Sequence, residues 1–360
     1  MQSIMDGLYQ QSRNGDNFYK LIELMTMDEN IKLAYRNIKR NMGSVTAGVD
    51  GMTINDIKLL LTDEVIEQVK SMFSWYKPQA VKRVFIPKPN GKKRPLGIPT
   101  IWDRLFQQCI LQILEPICEA KFHAHSYGFR SNRSTHHALA RVKSLVNSQG
   151  RGFHYCVDID IKGFFDNVNH GKLMKQLWNM GIRDKKLLSI ISSLLKAEII
   201  NEGFPNKGTP QGGILSPLLS NVVLNELDWW ISDQWETIET KHPYVARKDK
   251  YRALKKSNLK ECFLIRYADD FKILCRNYPT ALKMFEATKD FLKTRLQLEI
   301  SKDDYENLII VLEDIHVAIH HDDSEKAKSI LANYEIEEEK KKRFDKLRIL
   351  ANRAPIFSLI

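Results

Sequence analysis

Long stretches of this chain of 360 residues repeat apolar side chains every three or four positions. That spacing follows one face of a helix, and residues 54–75 are a clear example. Helices are predicted on the same grounds over 17–41, 101–120, 135–148, 172–196, 216–233 and 280–296, with two or three more after residue 302. The chain is therefore expected to be mostly helical, with a few shorter segments between the helices that lack the helical spacing.

Those shorter segments have the alternation or the continuous apolar run that is typical of strands. Residues 81–86 and 94–99 flank a turn rich in Pro, Gly and Lys, which predicts a basic β-hairpin. Residues 155–161 predict one strand, and 262–275 predict a tight hairpin of two apolar strands. The candidate chemistry falls on these strand segments and on the loops beside them.

The net charge of the chain indicates what kind of partner it binds. The chain has 55 Lys and Arg against 44 Asp and Glu, a formal charge of +11, which indicates a polyanion such as nucleic acid or a membrane surface. From Asp303 onwards there are 13 acidic and 9 basic residues. The polyanion is therefore expected to bind before residue 303.

Several classes of protein are excluded by the same reading. The sequence has no run of about 18 apolar residues, so no membrane span is predicted. The N-terminus lacks the basic and apolar regions of a secretory signal. The five cysteines are scattered and form no CxxC pair. They predict reduced, buried thiols in a cytoplasmic protein, without a structural zinc site.

Two acidic motifs are the candidate chemistry. Asp269 and Asp270 lie at the turn of the apolar hairpin, where two like charges need water or a cation, and oxygen ligands suit Mg²⁺. Asp158 and Asp160 share one face of a strand. A carboxylate from that strand would complete a site for two metals and phosphoryl transfer. An exposed Asp-Asp turn or a solvated acidic face explains either motif alone, but not both.

Two further segments are less specific by themselves. Residues 207–217 form a Gly- and Pro-rich loop whose glycines allow close backbone approach. The basic hairpin could form a cationic flap for a triphosphate. A plain loop at the start of a helix and a solvated charged face are the alternatives.

Four motifs resemble those of the reverse transcriptases in their order along the chain: RPLGIPT, DIDIKGFFDNVNH, GTPQGGILSPLLSN and YADD. Their residues are similar to those of the group II intron-encoded, maturase-type class. AGVDGMT and YGFRSNRSTHHAL also resemble that class, so the resemblance spans about 17–301. It implies an α+β right-hand polymerase core, with helical and hairpin fingers over 1–154 and an antiparallel-sheet palm over 155–302. Residues 303–360 would be a short helical segment in place of a recognisable thumb.

The resemblance also implies roles for individual residues. Asp160, Asp269 and Asp270 match the catalytic aspartates, which bind two Mg²⁺ ions. Phe165 matches the aromatic gate that excludes a 2′-hydroxyl. The other residues matched to the nucleotide site are Ile161, through a backbone contact to metal or triphosphate, and Gln211, Gly212, Arg83, Lys88 and Arg94.

The implied reaction is extension of a primer 3′-hydroxyl with dNTPs on an RNA template. Expected partners are template RNA, intron RNA, a DNA primer or target and dNTP, with no membrane; the oligomeric state, including a homodimer, stays open. One alternative is an RNA-binding splicing cofactor without significant polymerase activity. Another is an RNA-dependent RNA polymerase, against which the Phe165 gate and YADD, in place of Gly-Asp-Asp, both argue.

RNA is expected on three basic segments. They are the N-terminal helical region, the basic hairpin, and an insertion over 241–260, for which a solvated loop is the alternative. The candidate contacts are Lys32, Arg36, Lys39, Arg40, Lys248, Lys250, Lys255 and Lys256. After LEIS the family's lysines and its Phe-Leu-Gly-Phe strand are missing, and no Cys-rich endonuclease segment follows, so splicing and DNA cleavage are left open.

Overall fold

The structure, a computed structural model, describes residues 1–87, 91, 93–146, 153, 155–210, 212–301 and 309–311. Its N-terminal helices are α1 (Gln2–Asn14), α2 (Leu21–Met25), α3 (Asp28–Arg40), α4 (Ile54–Ile57), α5 (Thr62–Ser74), α6 (Ile101–Glu119) and α7 (Thr135–Val146). The later helices are α8 (Phe164–Asn167), α9 (His170–Asn179), α10 (Lys185–Leu195), α11 (Ser216–Ser232), α12 (Arg247–Leu254) and α13 (Tyr278–Phe291). Across these ranges, no helix combines the length and the apolar character needed to cross a membrane.

Helix α6 is the centre of the N-terminal part. The Thr100 hydroxyl accepts a hydrogen bond from the Asp103 N–H at 3.2 Å, which caps the start of the helix. Most of its side chains are buried on every face, because α1, α3, α5 and α11 pack around it. The N-terminal helices therefore pack as one group around α6.

That hairpin consists of β1 (Lys82–Pro87) and β2 (Lys93–Ile98), which pair antiparallel with Lys82 opposite Ile98. Its base is attached to the rest of the molecule at Val81, which bridges to Ile199. The predicted basic hairpin is confirmed in its described residues.

A second sheet has four antiparallel strands in the order β4 (Cys262–Tyr267), β5 (Asp270–Cys275), β3 (Tyr155–Ile159) and β6 (Ile309–Val311). Buried apolar residues such as Val157 and Ile273 alternate along the strands with polar ones such as Asp158 and Lys272. Helix α13, whose first turn is capped by the Asn277 side chain, packs along β3 and β5, and α11 packs along β4. Helices with an antiparallel sheet confirm the α+β class.

Three sequence predictions change in detail. The predicted helices over 54–75 and 172–196 are each two helices with a break between them. Residues 309–311 form a strand where a helical tail was expected, because their backbone pairs with the free edge of β3. The sheet therefore continues past residue 302, and the rest of the predicted C-terminal segment lies outside the described residues.

Candidate active site

The backbones of the three predicted catalytic aspartates lie at one edge of the four-stranded sheet. Tyr267 pairs with Asp270, so Ala268 and Asp269 form the two-residue turn between β4 and β5. Asp158 lies opposite Lys272, and the same register continued by two residues sets Asp160 opposite Asp270. Strand pairing therefore brings together two motifs that are more than a hundred positions apart.

The segment after the π-helical turn Leu292–Leu296 supports this edge. The Ser301 N–H donates to the Asp160 carbonyl at 3.0 Å, and the Lys162 N–H donates to the Glu299 carbonyl at 2.8 Å. Between them, Ile161 bridges to Ile300 and its side chain is buried. A contact from Ile161 to metal or triphosphate would therefore have to come from its backbone, as the resemblance implies.

A lysine that was not predicted lies among the carboxylates. The Lys272 Nζ is 2.6 Å from the Asp158 Oδ1 and 2.5 Å from the Asp270 Oδ1. Burial alone would lower the pKa of Lys272, but the charges of Asp158 and Asp270 outweigh it and raise that pKa above its ordinary value. Lys272 is therefore a fixed positive charge at the edge of the sheet.

The residues at this edge have the chemistry for a hard divalent cation. Carboxylate oxygens are the ligands that Mg²⁺ takes, and Asp160, Asp269 and Asp270 bring three of these groups to one edge. Among the described residues, however, no three acidic, His or Cys side chains are grouped closely enough to hold a metal ion. The backbone positions fit, whereas the Asp270 side chain turns to Lys272.

Phe165 lies beside the Gly- and Pro-rich loop. It is 8% exposed, and its ring meets Phe164 edge-on at 5.3 Å and Phe129 at 6.4 Å. Its carbonyl accepts a hydrogen bond from the Thr209 N–H at 2.7 Å. The backbone of Phe165, the predicted gate, is therefore fixed to the Gly- and Pro-rich loop over 207–217.

Gly212 joins that loop to the basic hairpin. Its φ is +106°, and a Cβ at this position would come within 2.2 Å of the Gly97 carbonyl oxygen in β2. Only glycine allows this approach of two backbones. The neighbouring Gln211 and the hairpin's Lys88 lie outside the described residues.

Arg83 and Arg94 are the other two hairpin residues that were matched to the nucleotide site. The Arg83 Nε and Nη2 donate to the two Glu202 carboxylate oxygens at 2.9 and 2.8 Å. These hydrogen bonds hold the pKa of Glu202 below its ordinary value. Arg94 is exposed on β2 opposite Ile86. Arg83 thus has an acidic partner that no motif indicated.

A buried arginine holds the turn of the acidic hairpin. Arg266 is fully buried, and its Nε and Nη2 donate to the two Asp228 oxygens, each at 2.7 Å. Its Nη1 donates to the Asn221 Oδ1 at 2.9 Å and to the Ala268 carbonyl at 2.6 Å. Helix α11 therefore fixes the residue that precedes Asp269.

Ala268 needs such support because its φ is +60°, where two-residue hairpins usually take glycine. Gly128 packs against it so closely that a Cβ there would lie 2.1 Å from the Ala268 nitrogen. A sequence signal for this network did exist. A charge within an apolar strand needs a buried partner, and Asp228 lies in an equally apolar helix.

The predicted RNA contacts lie on two surfaces. On α3, the basic side chains are exposed on the face opposite the buried Ile31, Ala34 and Ile38; they are Lys32, Arg36, Lys39 and Arg40. This surface is called the α3 basic face. It presents four cations on the side of the helix away from its buried apolar residues.

The second surface is on α12, within the predicted insertion. Leu254 is buried, and the Tyr251 ring is 5.7 Å from that of Trp235, so the insertion is packed against the hydrophobic core. Lys250 donates to the Glu236 carbonyl at 3.4 Å, and Lys255 pairs with Glu261 at 3.8 Å. Of the four predicted lysines, Lys248 and Lys256 are exposed without a described ion pair.

Comparison with known proteins identifies the class. The model of the family "Reverse transcriptase (RNA-dependent DNA polymerase)" matches residues 86–309, and the chain belongs to this family. It is 33% identical to protein YkfC of Escherichia coli K12 over 304 residues, 79% of this chain and 78% of that protein. It is 40% identical to the group II intron-encoded protein LtrA of Lactococcus lactis over 223 residues, 59% of this chain and 35% of LtrA.

These relatives confirm the resemblance to group II intron-encoded proteins, the reverse transcriptase fold and the enzyme class of RNA-directed DNA polymerase. The chain spans about a third of LtrA and most of YkfC. A solved Cas6-RT-Cas1–Cas2 complex covers 76% of this chain and 42% of its own at 22% identity and a TM-score of 0.41. At that TM-score the similarity does not add to the assignment.

Proposed function

We propose that this chain extends a primer 3′-hydroxyl with dNTPs on an RNA template, as a polymerase of group II intron type that uses two Mg²⁺ ions. The observation that carries the proposal is the position of Asp160, Asp269 and Asp270 at one sheet edge in a chain of this family. Bound there, Mg²⁺ would activate the 3′-hydroxyl and stabilise charge on the departing pyrophosphate.

The chain's own residues would position the nucleotide. The contact between Gly212 and Gly97 joins the basic hairpin of the fingers (1–154) to the palm (155–302 with β6), which supports a nucleotide pocket between them. Arg83 and Arg94 would contact the triphosphate, with Lys88 and Gln211 added by resemblance. Phe165 would lie under the sugar and exclude the 2′-hydroxyl.

RNA binding would use the α3 basic face together with Lys248 and Lys256 of α12. Their charge and exposure support contacts to phosphates. The RNA would be the template and intron RNA, with a DNA primer or target as the second strand. Bacterial relatives and five buried thiols support a cytoplasmic, nucleic-acid-associated enzyme, and light scattering would test for a homodimer.

A splicing cofactor without polymerisation is the second candidate. The observation that favours it is the hydrogen bond of Asp270 to Lys272, which engages one of the three carboxylates with an ammonium group. Both candidates predict RNA binding, and only the first predicts incorporation of dNTPs.

Primer extension on poly(rA)/oligo(dT) with Mg²⁺ separates the two. The proposal expects extension by the wild type, and its complete loss in Asp269→Asn with RNA affinity unchanged, because binding rests on the basic surfaces. The exposed Asp290 on α13 gives the matched control, and Asp290→Asn should extend like the wild type. RNA binding without extension by the wild type would favour the splicing cofactor.

A further inference from the structure

Lys272 forms ion pairs with two aspartates that differ in their exposure to solvent. The Lys272 and Asp158 side chains are 21% and 19% exposed, whereas that of Asp270 is 71% exposed. Exposed ion pairs are weak, because water screens the charges and competes for both groups. The Asp158 half of the bridge is therefore the more durable one, and the Asp270 half is the more easily broken.

The sheet register explains why the lysine lies there. Asp158 is directly opposite Lys272 on the neighbouring strand, and Asp270 is two positions from Lys272 on the same face of β5. Extended by two residues from Asp158, the same register sets Asp160 opposite Asp270, and Asp269 lies in the adjoining turn. The Lys272 ammonium contacts the Asp158 and Asp270 carboxylates, and its positive charge reduces the repulsion between those two groups.

We propose that Lys272 is a positioning residue that holds Asp270 in the metal-free enzyme and releases it to a divalent cation while remaining on Asp158. This inference rests on the proposed metal site. Metal binding then exchanges one cationic partner of Asp270 for another. The lysine consequently stabilises the metal-free site and weakens the apparent affinity for the metal.

The test measures Mn²⁺ binding by electron paramagnetic resonance, together with thermal unfolding with and without Mg²⁺. Lys272→Met should bind Mn²⁺ about two- to fivefold more tightly, the range that an exposed ion pair supplies. Its metal-free form should melt a few degrees lower, because the half-buried Asp158 carboxylate loses its partner. Mg²⁺ should raise the Tm of this variant by more than it raises that of the wild type.

Three further variants make the test specific. Asp158→Asn should bind Mn²⁺ about two- to fivefold more weakly, because Lys272 is then left with Asp270 alone. Lys272→Arg keeps the charge and should stay near the wild type. Lys186→Met removes an exposed lysine from α10, which packs on α2 and α9, and should change neither reading.

Unchanged or weaker Mn²⁺ binding by Lys272→Met would overturn the inference, as would tighter binding by Asp158→Asn. Asp269→Asn separates this failure from failure of the proposed function. If the wild type binds Mn²⁺ no better than Asp269→Asn, the metal site itself is wrong, and the Lys272 proposal falls with it. If Asp269→Asn loses binding and Lys272→Met matches the wild type, only the exchange is wrong.

Discussion

Replacing Asp228 by Asn tests how the catalytic turn is held in place. The change removes the charge that neutralises Arg266, and both side chains are fully buried. An uncompensated buried charge typically costs about 3–5 kcal/mol. For a chain of 360 residues, that corresponds to a fall in Tm of about 4–7 °C. The exposed pair Arg252–Asp249 supplies the control, and Arg252→Met should leave Tm within about 1 °C.

A double variant separates stability from positioning. Arg266→Met with Asp228→Leu replaces the pair by apolar side chains of similar size, which should recover most of the lost stability. It cannot recover the hydrogen bond from Arg266 to the Ala268 carbonyl, so primer extension should stay slow. Thermal unfolding and single-turnover extension measure the two effects.

Two results would refute this reasoning. If Asp228→Asn melts with the wild type, the buried pair does not constrain the fold. If the double variant regains both stability and extension rate, Arg266 only fills the core and the turn needs no anchor. Recovery of stability without recovery of rate is the expected outcome.

Three other predictions test the gate, the RNA surface and the pH response. Phe165→Val should lower the ratio of kcat/KM for dNTP to that for NTP, because a smaller side chain admits the 2′-hydroxyl; an unchanged ratio would make Phe165 a packing residue. Reversing Lys248 and Lys256 to Glu should flatten log Kd against log[salt] by about 0.7–0.9 for each RNA phosphate that the lysines neutralise, whereas a wild-type slope would remove α12 from the RNA surface. Burial lowers the pKa of His123 to about 4. The contribution of the neutral imidazole to the free energy of unfolding is therefore fully present above about pH 6.5 and is lost as the pH falls toward 4. His123→Gln should reduce the difference between urea unfolding at pH 7 and at pH 5, and an unchanged difference would assign it to other groups.

The sequence predicted most of the elements, and it predicted the strands that carry the candidate site. Alternation along 155–161 predicted that Asp158 and Asp160 share a face, and the apolar runs around YADD predicted the hairpin that carries Asp269. Such patterns are local, since each depends only on which neighbours face the core. The breaks within 54–75 and 172–196 were missed because apolar spacing continues across both turns.

The partners of the charged residues were decided by the tertiary structure alone. Lys272 meets Asp158 only because β3 and β5 pair in one register, and a shift by one residue would turn it to the other face. Arg266 finds Asp228, and Arg83 finds Glu202, from distant elements. A sequence shows that a buried or clustered charge needs a partner, but the choice of partner depends on strand register and helix packing, which arise only when the whole chain folds.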